Sequence, residues 1–394
     1  MSKTLLQINV TANWGSTGKI AEQIGICAMS NGWKSYIAYG RMMNPSQLHL
    51  INVGSRINTY IHYASNLLLD KEGLSSNHAT KKLINVIKTI KPDIIQLHNI
   101  HDHWLNYEVL FNYLNQTKIK VFWTFHDCWA FTGHCYHFID INCTKWIEEC
   151  SNCPKRNYFS DRSSENYILK KKLFTSCPNL TIISVSNWLD NFVSQSFFKD
   201  INRTVIYNGI DINTFKPLNI TRQTSNIFNI IAVSSVWTKS KGLHDIFKLR
   251  EILPIEYQIT IVGLNKKQLL GLPHGIIGIQ RTQNIESLVT LYSSSDVFIN
   301  PTYADTFPTV NLEALACGTP VITYKTGGSP EAIDEKTGIV VEQGNVNALA
   351  DAIIKLRKHP LSSQDCRMRA IEWFDKDMCF NKYIQLYERT LNDR

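Results

Sequence analysis

Short apolar or β-branched runs recur along the chain, each followed by a loop and then by a longer stretch of helical spacing. Leu5–Val10, Ser35–Tyr39, Asp93–Leu97, Val121–Thr124 and Thr181–Val185 predict strands in the first half. A helix is expected from Lys19 to about Met29, after a loop that carries Gly15 and Gly18. The intervening segments are long enough for crossover helices, and that alternation predicts a parallel sheet with helices on both faces. The pattern then begins afresh. Ile227–Ser234, Gln258–Val262, Gly278–Gln280, Val297–Asn300, Pro320–Thr323 and Gly338–Val341 predict strands, and Leu312–Ala316 and Val346–Arg357 predict helices. The polar stretch Asn219–Asn226, after Phe215 and Pro217, separates the two halves. The expected organisation is α/β, with two doubly wound domains at residues 1–215 and 216–379. The segment 380–394 reads as a helix packing back on the first domain, and residues 128–160 as a cysteine-rich insertion in it.

With 394 residues the chain has enough material for two or three cores. Hydrophobic residues at 44% and charged residues at 19% exclude long disorder. No apolar run approaches the ~20 residues of a membrane-spanning helix. The amino-terminal residues lack the apolar core and cleavage site of a signal peptide, so a cytoplasmic protein is expected. The net charge of +8 is unevenly placed. Residues 1–210 carry 21 Lys/Arg against 14 Asp/Glu, or +7, and residues 211–394 carry 20 against 19, or +1. A basic first half suits a phosphate-bearing ligand or peripheral contact with an anionic membrane as well as an ordinary solvated surface. Nucleic acid is disfavoured, because the cations are dispersed (Lys170–Lys172 is the only run of three) and no aromatic RNA-binding signature accompanies them.

The densest chemistry lies between Asp296 and Ile322. Asp305 falls in a loop and Glu313, eight residues on, near the start of a small-residue helix. Two such carboxylates suit a polyhydroxylated ligand, whose hydroxyls donate charge-assisted hydrogen bonds. Downstream, Gly327 and Gly328 precede Ser329-Pro330-Glu331 and predict bare amides at a helix start, an anion site. Lys239 and Lys241 follow a strand and open a helix, where a diphosphate is well held. The Gly15/Gly18 loop is not a Walker A motif, since its spacing is wrong and Lys19 is followed by Ile20. His98 and His101, with His103 beside them, and His126 each follow an apolar strand, where open α/β sheets carry ligand residues.

Asp305, Glu313 and the following Glu313-Ala-Leu-Ala-Cys-Gly-Thr-Pro-Val-Ile322 resemble the acidic-x7-acidic block of the family-4 retaining glycosyltransferases, especially the bacterial polysaccharide-synthesis members. Asn13–Ile20, Thr124-Phe-His126 and Tyr207-Asn-Gly-Ile-Asp211 with Phe215 and Pro217 resemble further family segments, the last being an interdomain stretch whose Asn-Gly predicts a tight turn. The resemblance implies the GT-B fold, two Rossmann-like domains facing across a cleft, and a retaining, hexosyltransferase-type enzyme. It would move sugar from a nucleotide-sugar donor to a saccharide or lipid-linked saccharide acceptor in cell-surface polysaccharide synthesis. Glu313 would then bind the donor ribose and Asp305 the donor sugar, although most relatives have Glu at the position of Asp305. Lys241 would grip the diphosphate, with Lys239 standing in for the family's absent arginine. Gly15, Gly18, Gly327 and Gly328 would line the donor, and His126 would contact its sugar or phosphate as a hydrogen-bonding residue. Asp127 is placed to orient His126, and His98 and His101 to line the cleft or meet the acceptor. No cofactor is required for this chemistry. A nucleotide-sugar epimerase or a sugar phosphorylase of the same fold is the alternative.

Ten cysteines without a secretory context favour thiols or a metal over disulfides. Cys135, Cys143, Cys150 and Cys153 lie close together, the last two as C-x2-C. They read either as ligands of a structural zinc or as reduced cysteines in a loop.

Overall fold

The computed structural model describes residues 2–156, 159–219 and 226–392 and divides into two units. One comprises Met1–Tyr207 with Phe380–Arg394, the other Asn208–Cys379. The chain therefore changes unit at 207/208, earlier than the expected 215/216, and most of the polar stretch 219–226 lies outside the described residues.

The first unit contains seven strands: β1 (Thr4–Ile8), β2 (Lys34–Tyr39), β3 (His49–Asn52), β4 (Ile94–Leu97), β5 (Lys120–Phe125), β6 (Leu180–Ser184) and β7 (Asn202–Val205). They form one parallel sheet in the order β3-β2-β1-β4-β5-β6-β7. The second unit contains β8 (Phe228–Val233), β9 (Tyr257–Val262), β10 (Ile276–Ile279), β11 (Val297–Asn300), β12 (Val321–Tyr324) and β13 (Gly338–Val341). These too are parallel, in the order β10-β9-β8-β11-β12-β13. Central strands are buried on both faces, which is why β4, β11 and β12 read as mainly apolar or β-branched runs, with Gln96 and Asn300 the polar members of β4 and β11. The chain reverses its direction of winding between β1 and β4, and again between β8 and β11. Loops at the carboxyl ends of those strands diverge there and leave room for a ligand.

The helix after β1 runs Gly15–Ser30, so Gly15 is its first residue and not part of a preceding loop. The last helix, Lys376–Asn392, supplies Phe380, Tyr383, Ile384, Tyr387 and Leu391 to the core of the first unit, against Leu5, Ile24, Ile94 and Phe122. Polar contacts fix its register. Tyr387 donates to Gln96 Oε1 at 2.7 Å, Gln96 donates to Thr124 Oγ1 at 3.0 Å, and Trp33 donates to Glu388 at 3.0 Å.

Where the chain enters and leaves the second unit, its two passages are tied to each other. Ile210 donates to Phe374 O at 2.7 Å, Lys376 N donates to Ile210 O at 2.9 Å, and Lys376 pairs with Asp211 at 2.7 Å. Gly209 is therefore no turn residue, contrary to expectation. It lacks a side chain because a Cβ would lie 2.5 Å from Lys376 Cα.

Tyr387→Ala removes a fully buried ring and leaves Gln96 short of a donor. The expected loss is about 3–5 kcal/mol of first-unit stability, read from urea unfolding followed by amide exchange in β1, β4 and β5. A loss below about 1 kcal/mol would show that the helix is not integral to that core.

Candidate active site

In the second unit the loops after β8, β11 and β12 converge. The turn Lys239–Lys241 ends at Gly242, which opens the helix Leu243–Ile252 with φ +76°. A Cβ on Gly242 would lie 2.0 Å from Pro301 O, so only glycine lets this turn rest against the loop after β11. Tyr303 N and Thr302 Oγ1 both donate to Ser240 O, at 2.7 and 3.3 Å. The buried Asp245 accepts from Tyr303 and Tyr324 at 2.6 and 2.8 Å. Held in this way, Lys241 Nζ meets Asp305 Oδ2 at 2.6 Å. Both side chains are partly exposed, so the pair adds about 1 kcal/mol or less to stability. Its importance is positional: a cation suited to phosphate and a carboxylate suited to sugar hydroxyls share one point. Lys239 sits on the exposed side of the turn.

Glu313 lies in the helix Thr309–Ala316 and accepts from Tyr292 OH at 3.0 Å. Burial, with Glu313 beside it, pushes the Tyr292 phenol well above its usual range, so it remains a donor that orients the carboxylate. A buried chain locks this helix to its surroundings. Asn300 donates to Asn311 Oδ1 at 2.8 Å, Asn311 donates to Ser329 Oγ at 2.8 Å, and Ser329 and Thr323 hydroxyls meet at 2.6 Å. Breaking it at Asn311 would strand buried partners at about 1–3 kcal/mol.

The Gly327/Gly328 segment corrects an expectation. No long helix begins there; Ser329–Ala332 is a single short turn, and the Gly328 amide donates to Thr306 O at 3.1 Å. Gly327, at φ +58°, is required because a Cβ would lie 1.6 Å from Asp305 O. These glycines pack against the Asp305 backbone, and the Gly328 amide is engaged by Thr306 O.

In the first unit the loops after β1, β4 and β5 meet. His98 Nε2 contacts Gln7 Oε1 at 3.1 Å, and Gln7 is fixed by donating to Ala21 O at 2.7 Å. The amide orientation makes Nε2 of His98 the donor, so its Nδ1 accepts. His126 Nε2, 3.1 Å away, must then be the donor of that bond. Burial lowers both rings: His98 goes well below its usual range, aided by His126, and His126 falls to about 4. Two stacked neutral imidazoles result, with centroids 5.4 Å apart.

Asp127 does not orient His126. It accepts from His101 Nε2 at 2.9 Å and from Trp129 N at 2.9 Å. Burial pulls His101 down, but Asp127 outweighs it and raises the imidazole, while His101 helps to hold Asp127 below the usual carboxylate range. Gly18 faces its own chain, since a Cβ would lie 2.7 Å from Thr11 Oγ1, whereas Gly15, at φ +66°, faces open space. Lys170, the first of the Lys170–Lys172 run, is not a surface residue. It is buried, donates to Trp129 O and Thr132 O at 2.8 and 3.2 Å, and lies 3.5 Å over the Trp129 ring. Gln7, Lys170, Asp245, Tyr292 and Asn311 were not found from sequence, because none sits in a pattern that signals chemistry.

Of the four cysteines read as possible zinc ligands, two are brought together. Cys135 and Cys153 have sulfurs 3.7 Å apart, and with His134 they form a group whose ligating atoms all lie within 4.8 Å of one another. Cys143 and Cys150 line the same small cavity but do not belong to that group.

Two all-parallel sheets, each with its ligand-type residues at the switch of strand order, define the GT-B class of glycosyltransferase. Comparison with known proteins agrees. Residues 221–373 match the glycosyl transferases group 1 family and residues 32–214 match glycosyltransferase family 4. The putative colanic acid biosynthesis glycosyl transferase WcaC of Escherichia coli K12 is 23% identical over 368 residues, 87% of this chain and 88% of its own. Sucrose-phosphate synthase from Thermosynechococcus elongatus superposes with a TM-score of 0.75 over 100% of both chains at 18% identity. HepE from Anabaena, solved in complex with UDP, gives 0.66 over 98% of this chain and 100% of its own at 14% identity. The chain belongs to the family-4, group 1 glycosyltransferases.

The hydrogen-bond chain fixes a spectroscopic outcome. Long-range proton–nitrogen spectra at neutral pH are expected to show His98 and His126 neutral with the proton on Nε2, and His101 protonated beyond the pH at which an ordinary histidine titrates. Because the folded pKa of His126 is lowered from 6.5 to about 4, its contribution to stability is complete above pH 6.5 and is lost as pH falls toward 4. The raised His101 has the opposite sign, stabilising at low pH and fading as pH rises through its folded value. Titration of His126 near 6.5 would refute this assignment.

Proposed function

We propose that the protein is a retaining glycosyltransferase that moves a hexose from a nucleoside-diphosphate sugar to a hydroxyl of a saccharide or lipid-linked saccharide in polysaccharide synthesis. The observation that carries the reading is the Lys241–Asp305 pair at the carboxyl edge of the second sheet. When a glycosidic bond to diphosphate breaks, negative charge grows on the leaving oxygen, and a fixed ammonium lowers the barrier to that step. Asp305 accepts hydroxyls of the donor sugar and Glu313, oriented by Tyr292, those of the ribose. Lys239 stays on the exposed side of the turn as an auxiliary cation. His126 acts as a neutral hydrogen-bonding group and not as a nucleophile; a ring with a pKa near 4 is a weak base at neutral pH. The acceptor hydroxyl loses its proton to the departing phosphate on the face from which that phosphate leaves. HepE, with which the chain shares its fold, has been solved with UDP-glucose, which supports a nucleotide-sugar donor.

A lipid-linked acceptor accords with the helix Arg56–Leu69 of the first unit. It is amphipathic the wrong way round for a soluble domain: His62 and Asn66 are buried, while Ile57, Tyr60, Ile61 and Leu68 are 54–73% exposed. The buried polar pair is bonded internally, with His62 accepting from Gly73 N at 2.9 Å and Asn66 Nδ2 meeting His103 at 2.9 Å. An outward apolar stripe on the half of the chain that carries +7 suits an anionic bilayer surface.

Equilibrium binding of UDP-, GDP- and ADP-sugars should reveal one preferred donor. Glu313→Ala is expected to weaken it about 10- to 100-fold, and Lys241→Ala to lower turnover about 100-fold or more. Wild-type affinity in Glu313→Ala, or no donor binding by folded protein with acceptors added, would remove the reading; an inverted product anomer would remove the retaining assignment.

Sedimentation with anionic liposomes should fall as salt rises and fall further in the triple variant Ile57→Ser, Ile61→Ser, Leu68→Ser. Equal binding to neutral liposomes at every salt concentration would exclude the membrane role.

A further inference from the structure

We propose that the insertion after β5 holds one structural zinc ion through His134, Cys135, Cys150 and Cys153. The segment from Cys128 to Arg162 contains only the short turns Trp129–Phe131, Ile139–Ile141 and Lys145–Ile147 among its described residues. So long an irregular stretch needs a constraint besides hydrogen bonds. An aromatic cluster supplies part of it: Trp146 packs on Phe131, Phe138 and Phe192, with centroids 5.0–5.4 Å apart. On the other side of Phe138 and Trp146, the four cysteines and His134 line one small cavity.

The geometry is that of a metal site. Ligands at about 2.3 Å from a tetrahedral zinc place two sulfurs about 3.8 Å apart; Cys135 and Cys153 are 3.7 Å apart and unbonded. The His134 ring lies within the same ligand group and is oriented from behind, because its Nδ1 is 3.1 Å from the buried carboxylate of Asp70. That carboxylate also accepts from Arg162 N at 2.8 Å, which holds it in place. A carboxylate fixing one ring nitrogen while the other faces a metal is the usual second layer of a histidine ligand. Cys150 lines the same cavity outside that close group and would supply the fourth ligand. The C-x2-C turn, with Asn152 at φ +45°, can direct both of its thiols to one ion. Cys153 N donates to Asp161 at 2.8 Å, and Lys145 caps Ser151 O and Asn152 O at 2.8 and 3.1 Å, so the turn is braced by groups other than the thiols.

The ion would act on the active-site side of the unit through Tyr136, next in sequence to Cys135. The Tyr136 ring packs 4.8 Å from His101, its hydroxyl donates to Glu72, and its carbonyl accepts from Cys128 N at 2.9 Å. Zinc would thus fix the segment that packs against the His101–Asp127 pair.

The full-length protein, purified without chelator, is expected to contain about one zinc per chain by atomic emission. Replacement by cobalt(II) should give the visible bands of a tetrahedral ion with sulfur-to-metal charge transfer in the near ultraviolet. Cys135→Ser, Cys150→Ser and Cys153→Ser should each lower zinc at least several-fold, while Cys143→Ser and Cys177→Ser retain it. The cobalt spectrum of the unaltered protein decides the matter even where a variant fails to fold. Reduced protein that takes up no zinc or cobalt, or a Cys135–Cys153 disulfide seen by mass, would overturn the proposal. Zinc lost from Cys143→Ser but kept by Cys150→Ser would overturn the ligand set.

Discussion

The loop after β11 is gripped between two glycines, and the chemistry of the second unit depends on that grip. Gly242 rests on the carbonyl of Pro301 and Gly327 on the carbonyl of Asp305, each in a backbone conformation that side chains rarely adopt. No other residue fits at either point without moving the loop. With its ends clamped, the loop can offer only one position for the Asp305 carboxylate, and Lys241, carried by the turn that precedes Gly242, has only one place to meet it. Steric exclusion at two backbone atoms does what a partly exposed ion pair worth about 1 kcal/mol or less cannot do for itself.

This contact also explains what was legible in the sequence and what was not. The apolar runs identified all six strands of the second sheet and five of the seven in the first. The two that escaped, His49–Asn52 and Asn202–Val205, are the edge strands of their sheet, short and largely exposed, so no burial pattern marks them. Asp305, Glu313 and Lys241 stood out in the acidic-x7-acidic block and the Lys-Gly turn, and the fold brings Lys241 and Asp305 together. The glycines were legible as special but not in purpose. Gly18, Gly209 and Gly327 admit the protein's own backbone or side chains, and a sequence cannot distinguish close approach by a neighbour from close approach by a ligand. Histidine pairing was opaque for a related reason: Asp127 is adjacent to His126 in sequence, yet successive side chains diverge, and its partner is His101.

The two units apply opposite electrostatic strategies. In the second, opposite charges meet at a partly exposed point and remain available to a charged ligand. In the first, the His98 and His126 imidazoles are kept neutral by desolvation, helped by His126 beside His98 and by His101 near His126, and the single orientation of Gln7 propagates through His98 to decide which nitrogen of His126 carries the proton. The chain Ala21 O, Gln7, His98, His126 costs little, because every bond replaces one to water, yet it removes the tautomeric freedom that an isolated histidine would have. The neighbouring His101–Asp127 pair keeps its charge, and there the two charges compensate each other.

That neutrality bears on the basic excess of the first 210 residues. Among their described residues, Lys170 is the one fully buried cation, and it is committed to two carbonyls and the face of Trp129, with burial lowering it to about 7. The remaining lysines and arginines reach solvent. They therefore do not form a phosphate cradle inside the unit, and their combined field acts outward over roughly a Debye length, about 8–10 Å at ordinary salt. The apolar stripe of the Arg56–Leu69 helix, on whose opposite face His62 and Asn66 are buried, belongs to the same unit, and the proposed contact with an anionic bilayer rests on the two together.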